Sequence, residues 1–380
     1  MNRAQAPGAS GAPPPLISIV ITCFNYAQFV ASAIESALAQ TYPRTEIVVV
    51  NDGSTDDSAQ VIARYGVRHG DRMRIINQPN GGSVSALNRG FAESTGDIVI
   101  FLDADDLIAP QAAAEVVRAF YPGCAKVQFD LSIIDGDGRD LGRRFCSFQT
   151  GYDAAAVRAA FQRTGTYRWP VTAGNAYARW FAAPFFPLAI EHGADGTLNT
   201  VAPLYGDVVT IPRPLGAYRL HGNNMWASRG GDTARMPARI RHRRGEIATL
   251  RQHAARKGVT LPAGDVLDHE LPFLNYRLGA LKLGMDYEGK SADSARGLMA
   301  SAGRAILGES LDAKLKLAHL AWFFALGLAP RPIAARMLWL RYNRAAVKGA
   351  GRRLLGRLRR KQHQEDGMGR AHGDVEVDAG

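Results

Sequence analysis

The 380-residue sequence has only three cysteines and lacks a long uninterrupted apolar run. Cys23, Cys124 and Cys146 are odd in number and far apart, which excludes a disulfide framework and the close cysteine pairs of a zinc site. A reducing cytoplasm suits these residues. The apolar stretch at 317–329 is interrupted by His319 and is shorter than the ~20 residues that a membrane helix needs. No membrane-spanning helix is therefore expected.

The amino-terminal segment lacks the apolar core of a secretion signal. Residues 1–15 are rich in Pro, Gly and Ala, and predict a disordered leader outside the fold. Acidic residues are absent from 331–361, where eleven Lys or Arg equal the whole formal net charge of +11. The basic character belongs to this tail and does not indicate that the main domain binds nucleic acid.

Strand-like apolar runs alternate with helical periodicity through the first third of the chain. The predicted strands are 16–22, 46–50, 73–77 and 97–102. The helix after the second strand is expected to begin with a cap at Ser54 or Thr55, and the helix after the third strand to span 83–93. These repeated units predict an α/β fold with a mostly parallel sheet flanked by helices.

Polar residues and glycines lie at or just beyond the predicted carboxyl ends of these strands. In parallel sheets, ligands bind at that edge. The set comprises Thr22, Asn25, Asp52, Asn80, Gly81, Gly82, Asn88, Asp103 and Asp105. It predicts one binding pocket, although an ordinary turn with a helix cap is an alternative interpretation of residues 52–54.

Three aspartates fall within the seven residues "FLDADDL" at 101–107. If the chain stays extended there, Asp103 and Asp105 point to the same side. Two such carboxylates suit a hard divalent cation, Mg²⁺ or Mn²⁺, that also takes phosphate oxygens. Ile108 and Ala114 stand where a calcium loop needs Gly and Glu, which excludes an EF-hand. A solvated acidic turn is the alternative.

Three motifs in order resemble family 2 glycosyltransferases of GT-A fold. They are "SIVITCFNYAQFVASAIESALAQTYPRTEIVVVNDGSTDDS", "NGGSVSALNRGF" and "GDIVIFLDADD", and the resemblance continues through "GADGTLNTVAPLYGDVV" and "YRLHGNN". A GT-A catalytic domain is therefore expected over 16–226. Helical patterns predict an extension over 227–330, and the cationic residues beyond it predict a basic tail, amphipathic or disordered, over 331–380.

The resemblance implies a nucleotide-diphosphate sugar donor, most simply a UDP-sugar. Thr22 and Asp52 would contact the nucleoside, Asp103 and Asp105 would form the DXD-type metal site, and Asp195 would be the catalytic base. The full donor-binding prediction is Thr22, Asn25, Asp52, Asn80, Gly81, Gly82, Asn88, Asp103, Arg219 and His221. Of these, Arg219 and His221 would reach the diphosphate or the metal from a carboxyl-terminal flap.

Two positions depart from the family pattern. Leu87 stands where many members have an Arg that binds the nucleotide, so Arg89 is a candidate substitute. Ala194 stands where members commonly have Glu before the base, so Asp195 lacks its acidic neighbour. A catalytically silent nucleotide-sugar-binding protein is therefore an alternative function.

The residues also indicate the chemistry. A dication would neutralise the departing diphosphate, and a separate carboxylate would take the acceptor proton, so that in-line attack inverts the anomeric carbon. The Q-x-x-R-W string of processive polysaccharide synthases is absent, which favours addition of single sugars to a glycan or lipid-linked acceptor. A Mg²⁺-dependent phosphatase is a weaker alternative, because Leu107 replaces the Thr or Val of that motif.

Residues 317–361 combine an apolar segment with a cationic run. This pattern predicts an interfacial anchor on an anionic membrane surface, and hence a cytoplasmic protein peripheral to the inner membrane face. The alternatives are a core helix followed by a solvated tail, or non-specific contact with nucleic acid. No specific nucleic-acid partner is expected.

Overall fold

The computed structural model of the protein describes residues 13–189, 194–221, 233–309 and 311–342, but not the side chains of residues 194 and 195. Within these residues, nine strands form one sheet, in the order β3-β2-β1-β4-β8-β6-β9-β5, with β7 paired to β6. The strands are β1 (Ile17–Cys23), β2 (Thr45–Asp52), β3 (Met73–Gln78), β4 (Ile98–Asp103), β5 (Leu107–Ile108), β6 (Cys124–Ile134), β7 (Asp140–Arg144), β8 (Asn175–Ala178) and β9 (Asp207–Arg219).

Seven helices connect or follow these strands in the described part of the chain. They are α1 (Ala27–Leu38), α2 (Ser58–His69), α3 (Ser83–Glu93), α4 (Ala112–Ala119), α5 (Ala154–Thr164), α6 (Arg179–Ala182) and α7 (Ala194–Tyr205). The first three alternate with β1 to β4, and β1 pairs in parallel with both β2 and β4. The predicted β-α units and the α/β fold class are confirmed.

Among the strands that the structure describes, parallel pairs occur within the group β1, β2, β3 and β4 and between β6 and β9. β8 lies between these two groups and runs antiparallel to both β4 and β6. Because the direction reverses twice across β8, β6 and β9 run the same way as β4. The carboxyl ends of β1, β2, β4 and β9 therefore reach the same edge of the sheet.

Alternation along the strands divides the core between the two faces of the sheet. Ile19 and Ile21 of β1 pack into one cluster with α1, whereas Val20 packs into the other with α3. All three side chains are completely buried. Burial on both faces explains why the strand reads as a continuous apolar run.

The start of α2 differs from the prediction. The helix begins at Ser58, not at Ser54 or Thr55, and Asp57 at its N-cap makes no side-chain capping bond. The Ser54 hydroxyl instead accepts a hydrogen bond from the backbone N–H of Asn25 at 3.0 Å. The "NDGSTDD" turn is therefore joined to the loop that follows β1.

The carboxyl-terminal helices have a hydrophobic cluster of their own. They are α8 (Met236–Arg256), α9 (Leu271–Leu283), α10 (Ala295–Gly308), α11 (Ala313–Leu328) and α12 (Arg331–Tyr342). No helix in the described part of the chain is both long and apolar enough to span a bilayer. The three cysteines are free and buried. Most of the predicted leader (1–12) and tail (343–380) lies outside the described residues.

Candidate active site

The carboxyl edge of the sheet brings Thr22 and Asp103 side by side. The two residues are partners in the parallel register of β1 and β4. One strand farther along, Asp52 ends β2, which also pairs with β1. The sheet thus assembles on one edge the groups that the sequence predicts for the nucleoside and the metal.

The chain turns immediately after Asp103 instead of staying extended. The backbone N–H of Asp106 donates to the carbonyl of Asp103 at 3.0 Å, and the N–H of Ala104 donates to the carbonyl of Thr22 at 3.1 Å. The argument from strand alternation was therefore wrong about how Asp105 comes near Asp103. A hydrogen-bonded turn places Asp105 there.

His221 contacts the acidic turn from the segment after β9. Its Nε2 lies 2.8 Å from Asp105 Oδ2, and both side chains are nearly buried. The imidazole ring packs against Phe29 and Tyr26, with ring centroids 4.8 and 5.5 Å away. His221 therefore lies beside a predicted metal ligand, whereas its contact with a diphosphate or a metal stays a prediction.

Arg219 joins the end of β9 to the same turn. Its backbone N–H donates to Asp106 Oδ1 at 2.9 Å, and its Nε donates to the carbonyl of Asp105 at 2.8 Å. The guanidinium lies over the Phe29 ring, 4.9 Å from the centroid. Because this side chain is only 4% exposed, these contacts position the turn, and a donor contact by Arg219 stays a prediction.

The three carboxylates make this corner of the protein strongly negative. Burial, followed by the charges of Asp105 and Asp103, raises the pKa of Asp106 well above its ordinary value. Burial and the same group of carboxylates also raise the pKa of the phenols of Tyr26 and Tyr218. A cation bound here would lower this electrostatic cost.

The acidic turn does not form a metal cage by itself. Among the described residues, no group of three or more His, Cys, Asp or Glu side chains is arranged to hold a metal ion. Asp106 is 1% exposed and accepts from the Arg219 backbone, so it is turned away from a ligand role. Asp103 and Asp105 remain as two carboxylates, a set that fits a Mg²⁺-like ion whose other ligands are water and phosphate.

Asp52 binds the loop that contains Gly81 and Gly82, called here the glycine loop. Its Oδ1 accepts from the N–H of Gly81 at 2.9 Å and from Gln78 Nε2 at 2.7 Å, and its Oδ2 accepts from the N–H of Gly82 at 2.9 Å. Gly53 has φ +68°, and a Cβ there would lie 2.5 Å from the Asn80 nitrogen. Gln78, at the end of β3, was missed by the sequence analysis because its role depends on the pairing of β2 with β3.

Asn25 and Asn80 also make contacts within the loops. Asn25 has φ 57°, and its Oδ1 accepts from the backbone N–H of Thr55 at 2.7 Å. Asn80 Oδ1 accepts from the N–H of Gly82 at 3.1 Å. Both asparagines therefore shape the edge of the pocket, and their direct contact with a donor stays a prediction.

Asn88 fastens the segment before α7 to α3. Its Oδ1 accepts from the Leu188 N–H at 2.7 Å, and its Nδ2 donates to the Leu188 carbonyl at 3.0 Å. Leu87 is buried in the core, and Arg89 pairs with Glu93 at 3.0 Å. The donor roles suggested for Asn88 and Arg89 thus compete with contacts that already occupy their side chains.

Asp195 lies in the first turn of α7, not in a loop. Its side chain and that of Ala194 are outside what the structure describes, as are residues 222–226 at the end of the predicted catalytic domain. Only Gly206 separates α7 from β9. Leu198, Val201 and Ala202 of α7 lie in the same hydrophobic cluster as Val208 of β9.

Comparison with known proteins identifies the family. Residues 18–174 match the model "Glycosyl transferase family 2". An uncharacterized glycosyltransferase of Nostoc sp. is 35% identical over 228 residues, which are 59% of this chain and 70% of the relative. The chain belongs to glycosyl transferase family 2. This family 2 enzyme is therefore a glycosyltransferase.

Other similarities cover shorter parts or show the fold alone. Chondroitin synthase of Pasteurella multocida is 38% identical over 107 residues, which are 28% of this chain and 11% of the synthase. The crystal structure of S. aureus TarS matches with a TM-score of 0.50 at 14% identity, over 85% of this chain and 54% of that chain. The TarS match shows that this family 2 glycosyltransferase has the same fold as TarS.

The substitution Asp52→Asn tests the bond between β2 and the glycine loop. An amide would face at least one of the three donors with an NH₂ group, so at least one hydrogen bond to a charged acceptor would be lost. The free energy of unfolding, measured by urea denaturation at pH 7, should fall by about 1–3 kcal/mol. Asp57→Asn, at an exposed residue without a capping bond, should change it by less than ~0.5 kcal/mol. Equal stability of the two variants would contradict the interpretation.

Proposed function

We propose that this glycosyltransferase moves a sugar from a nucleotide-diphosphate donor, with UDP-sugars the first choice, to a hydroxyl group of a glycan or lipid-linked acceptor. The observation that carries the proposal is the meeting of Asp103, Asp105 and His221 at the sheet edge, one strand away from the Asp52 loop. Acidic groups beside a loop of backbone N–H donors suit a diphosphate bound through a metal ion.

Asp103 and Asp105 would hold a divalent cation, Mn²⁺ or Mg²⁺. When bound, the ion supplies positive charge that stabilises the departing diphosphate. His221 restrains the Asp105 carboxylate through the 2.8 Å contact, so that this ligand is oriented before the donor arrives. Burial first, and then the charges of Asp105 and Asp103, raise the pKa of Asp106, and a cation between Asp103 and Asp105 would reduce the second of these effects.

Asp52 and the glycine loop would form the nucleoside side of the pocket. The carboxylate fixes Gly81 and Gly82 through their N–H groups. A carboxylate oxygen has more than one lone pair, so Oδ2 can also accept from a base N–H. Thr22, the register partner of Asp103, would complete the nucleoside side of the pocket.

Asp195 would take the proton from the acceptor hydroxyl as it attacks the anomeric carbon. Its place in the first turn of α7 supports this role, because that helix leads directly into β9, whose last residue Arg219 contacts the acidic turn. A base on the face opposite the diphosphate gives in-line attack and inversion. Ala194 leaves this carboxylate without the acidic neighbour of many relatives.

A membrane surface is the proposed location of the acceptor reaction. Helix α11 exposes an apolar stripe at spacings of four, three and four residues, namely Leu317, Ala321, Phe324 and Leu328. Between Asp312 and Glu365 the sequence has no acidic residue, so Lys314 and Arg331 flank this stripe without opposing charges. An apolar stripe beside basic residues suits an anionic lipid interface. We therefore place the enzyme peripherally on the inner membrane face.

Removal of the metal ligands tests the donor site. Calorimetry with UDP and GDP should show several-fold tighter binding in Mn²⁺ than in EDTA, and Asp103→Asn with Asp105→Asn should abolish the difference. The matched control is Asp71→Asn with Asp286→Asn, which removes two carboxylate charges at exposed residues away from the acidic turn. Nucleotide binding that is indifferent to EDTA and to the loss of both charges would refute a metal site.

Asp195→Asn tests the base. A panel of nucleotide sugars is screened for Mn²⁺-dependent thermal stabilisation, and release of nucleoside diphosphate is then measured with the best of them. The rate should fall by about 10²–10⁴, while calorimetry shows unchanged nucleotide affinity. Asp71→Asn, an exposed residue before β3, should retain full turnover. Wild-type turnover in Asp195→Asn would remove Asp195 from the mechanism.

The membrane proposal predicts sedimentation of the full chain with vesicles of phosphatidylcholine and phosphatidylglycerol at low salt. Leu317→Ser, Phe324→Ser and Leu328→Ser together should reduce the bound fraction several-fold, because the stripe loses its apolar contact with lipid. A matched triple variant at exposed apolar residues elsewhere, Val67→Ser, Leu141→Ser and Val259→Ser, should bind as the wild type does. Absence of wild-type sedimentation would end the proposal.

A further inference from the structure

A buried ionic network joins helix α8 to helix α7, which carries Asp195. Its centre is Arg243 of α8, whose side chain is almost fully buried. The guanidinium Nη1 donates to Glu246 Oε2 at 2.6 Å, and Nη2 donates to Glu270 Oε1 at 2.5 Å. Nη1 also donates to the hydroxyl of Thr200 on α7. The network therefore links the carboxyl-terminal helices directly to α7.

Two more contacts extend the network across the junction. Glu270 accepts from the Thr166 hydroxyl at 2.7 Å, so it also contacts the segment after α5. The Arg243 guanidinium lies over the Trp169 ring, 5.5 Å from its centroid. Burial would lower the pKa of Arg243, but the carboxylates of Glu270 and Glu246 raise it. The cation is thus balanced by its partners in a water-poor site.

Glu246 packs against the residue that follows Asp195. A Cβ at Gly196 would lie 1.8 Å from Glu246 Oε1 and 2.6 Å from its Cδ. Although a carboxylate usually yields to such a contact, this one is restrained by Arg243 and by His242 Nε2 at 3.1 Å. Only glycine permits this approach, so the first turn of α7 lies directly on the ionic network.

Helix α7 is also fixed on its sheet side. Tyr177 donates to Asn199 Oδ1 at 2.9 Å, and Tyr167 donates to the Asn199 carbonyl at 2.6 Å. With Arg243 bonded to Thr200, the second turn of the helix is restrained from two directions. The contact of Glu246 with Gly196 adds a third restraint, one residue from Asp195.

Burial of a guanidinium group and two carboxylates carries a desolvation cost, so stability alone does not account for the network. Buried ion pairs seldom add more stability than well-packed apolar residues of the same size, whereas they do define a specific geometry. A catalytic base depends on geometry, since a displacement of ~1 Å can cost about 10² in rate. The location of the network beside the first turn of α7 is consistent with that requirement.

We propose that Glu246 and Arg243 are positioning residues for the transfer reaction: they fix the first turn of α7, and thereby the backbone of Asp195, from the carboxyl-terminal helices. The inference rests on the proposed role of Asp195 as the base. It makes those helices a working part of the catalytic site.

Gly196→Ala tests the inference, with Gly245→Ala as its control. Gly245 neighbours Glu246 on α8, but a Cβ there meets no atom within 4 Å. Gly196→Ala should lower kcat for nucleoside-diphosphate release about 10-fold to 100-fold, with KM for the donor and nucleotide affinity unchanged. Gly245→Ala should leave all three unchanged. Hydrogen exchange of the amides at 196–199 should accelerate in Gly196→Ala alone.

A second variant separates positioning from general damage. Glu246→Asp withdraws the carboxylate from the new methyl group, so Gly196→Ala combined with Glu246→Asp should recover part of the lost kcat. In an Asp195→Asn background, Gly196→Ala should have no further effect on kcat, because its effect acts through the base. If Gly196→Ala fails to fold, Glu246→Gln serves in its place, with the same loss of kcat and the same hydrogen exchange expected.

The outcomes distinguish this inference from the proposed function. If Asp195→Asn turns over like the wild type, the base assignment fails, and the positioning role fails with it. If Asp195→Asn is inactive but Gly196→Ala and Glu246→Gln retain wild-type kcat and wild-type exchange at 196–199, the positioning role alone is overturned. Additive losses in the double variant with Asp195→Asn would also overturn it.

Discussion

Three carboxylates within four residues at the end of β4 repel one another, and the rest of the site depends on how that repulsion is offset. The offsetting groups come from the end of β9, where the Arg219 backbone and side chain bond to the turn and His221 contacts Asp105. These contacts join residues more than a hundred positions apart, so the acidic turn is held by a strand from the other end of the catalytic domain.

The same principle extends to the loops around the turn. Asp52, Asn25 and Asn88 each bond to backbone groups of another segment. A polar side chain that forms a hydrogen bond with a backbone N–H or carbonyl of another segment holds the two segments together. These residues form the rim of the pocket. A contact with the donor would use the hydrogen-bonding capacity that their side chains still have.

Membership of glycosyl transferase family 2 defines the reaction class, whereas the residues at the edge suggest how this member carries it out. Leu87 is a core residue here, so this position supplies no positive charge to a nucleotide. The carboxyl-terminal helices pack around their own cluster and also contact α7 through Arg243. These helices therefore carry the proposed membrane-binding stripe, and they also contact the helix that carries the proposed base.

By itself, the sequence determined the β-α alternation, the extent of α3, the clustering of polar groups at the strand ends and the family, because each follows from local periodicity or from motifs contiguous in the chain. It did not reveal the antiparallel insertion of β8, the turn at Asp105, the part of Gln78 in the Asp52 loop or the network of Arg243, Glu246 and Gly196. Apart from the turn itself and the pair of Arg243 with Glu246, those features join residues that lie tens of positions apart in the chain. Only the tertiary structure decided them, because strand order and helix docking are set by the summed packing of the whole core, which no local pattern encodes.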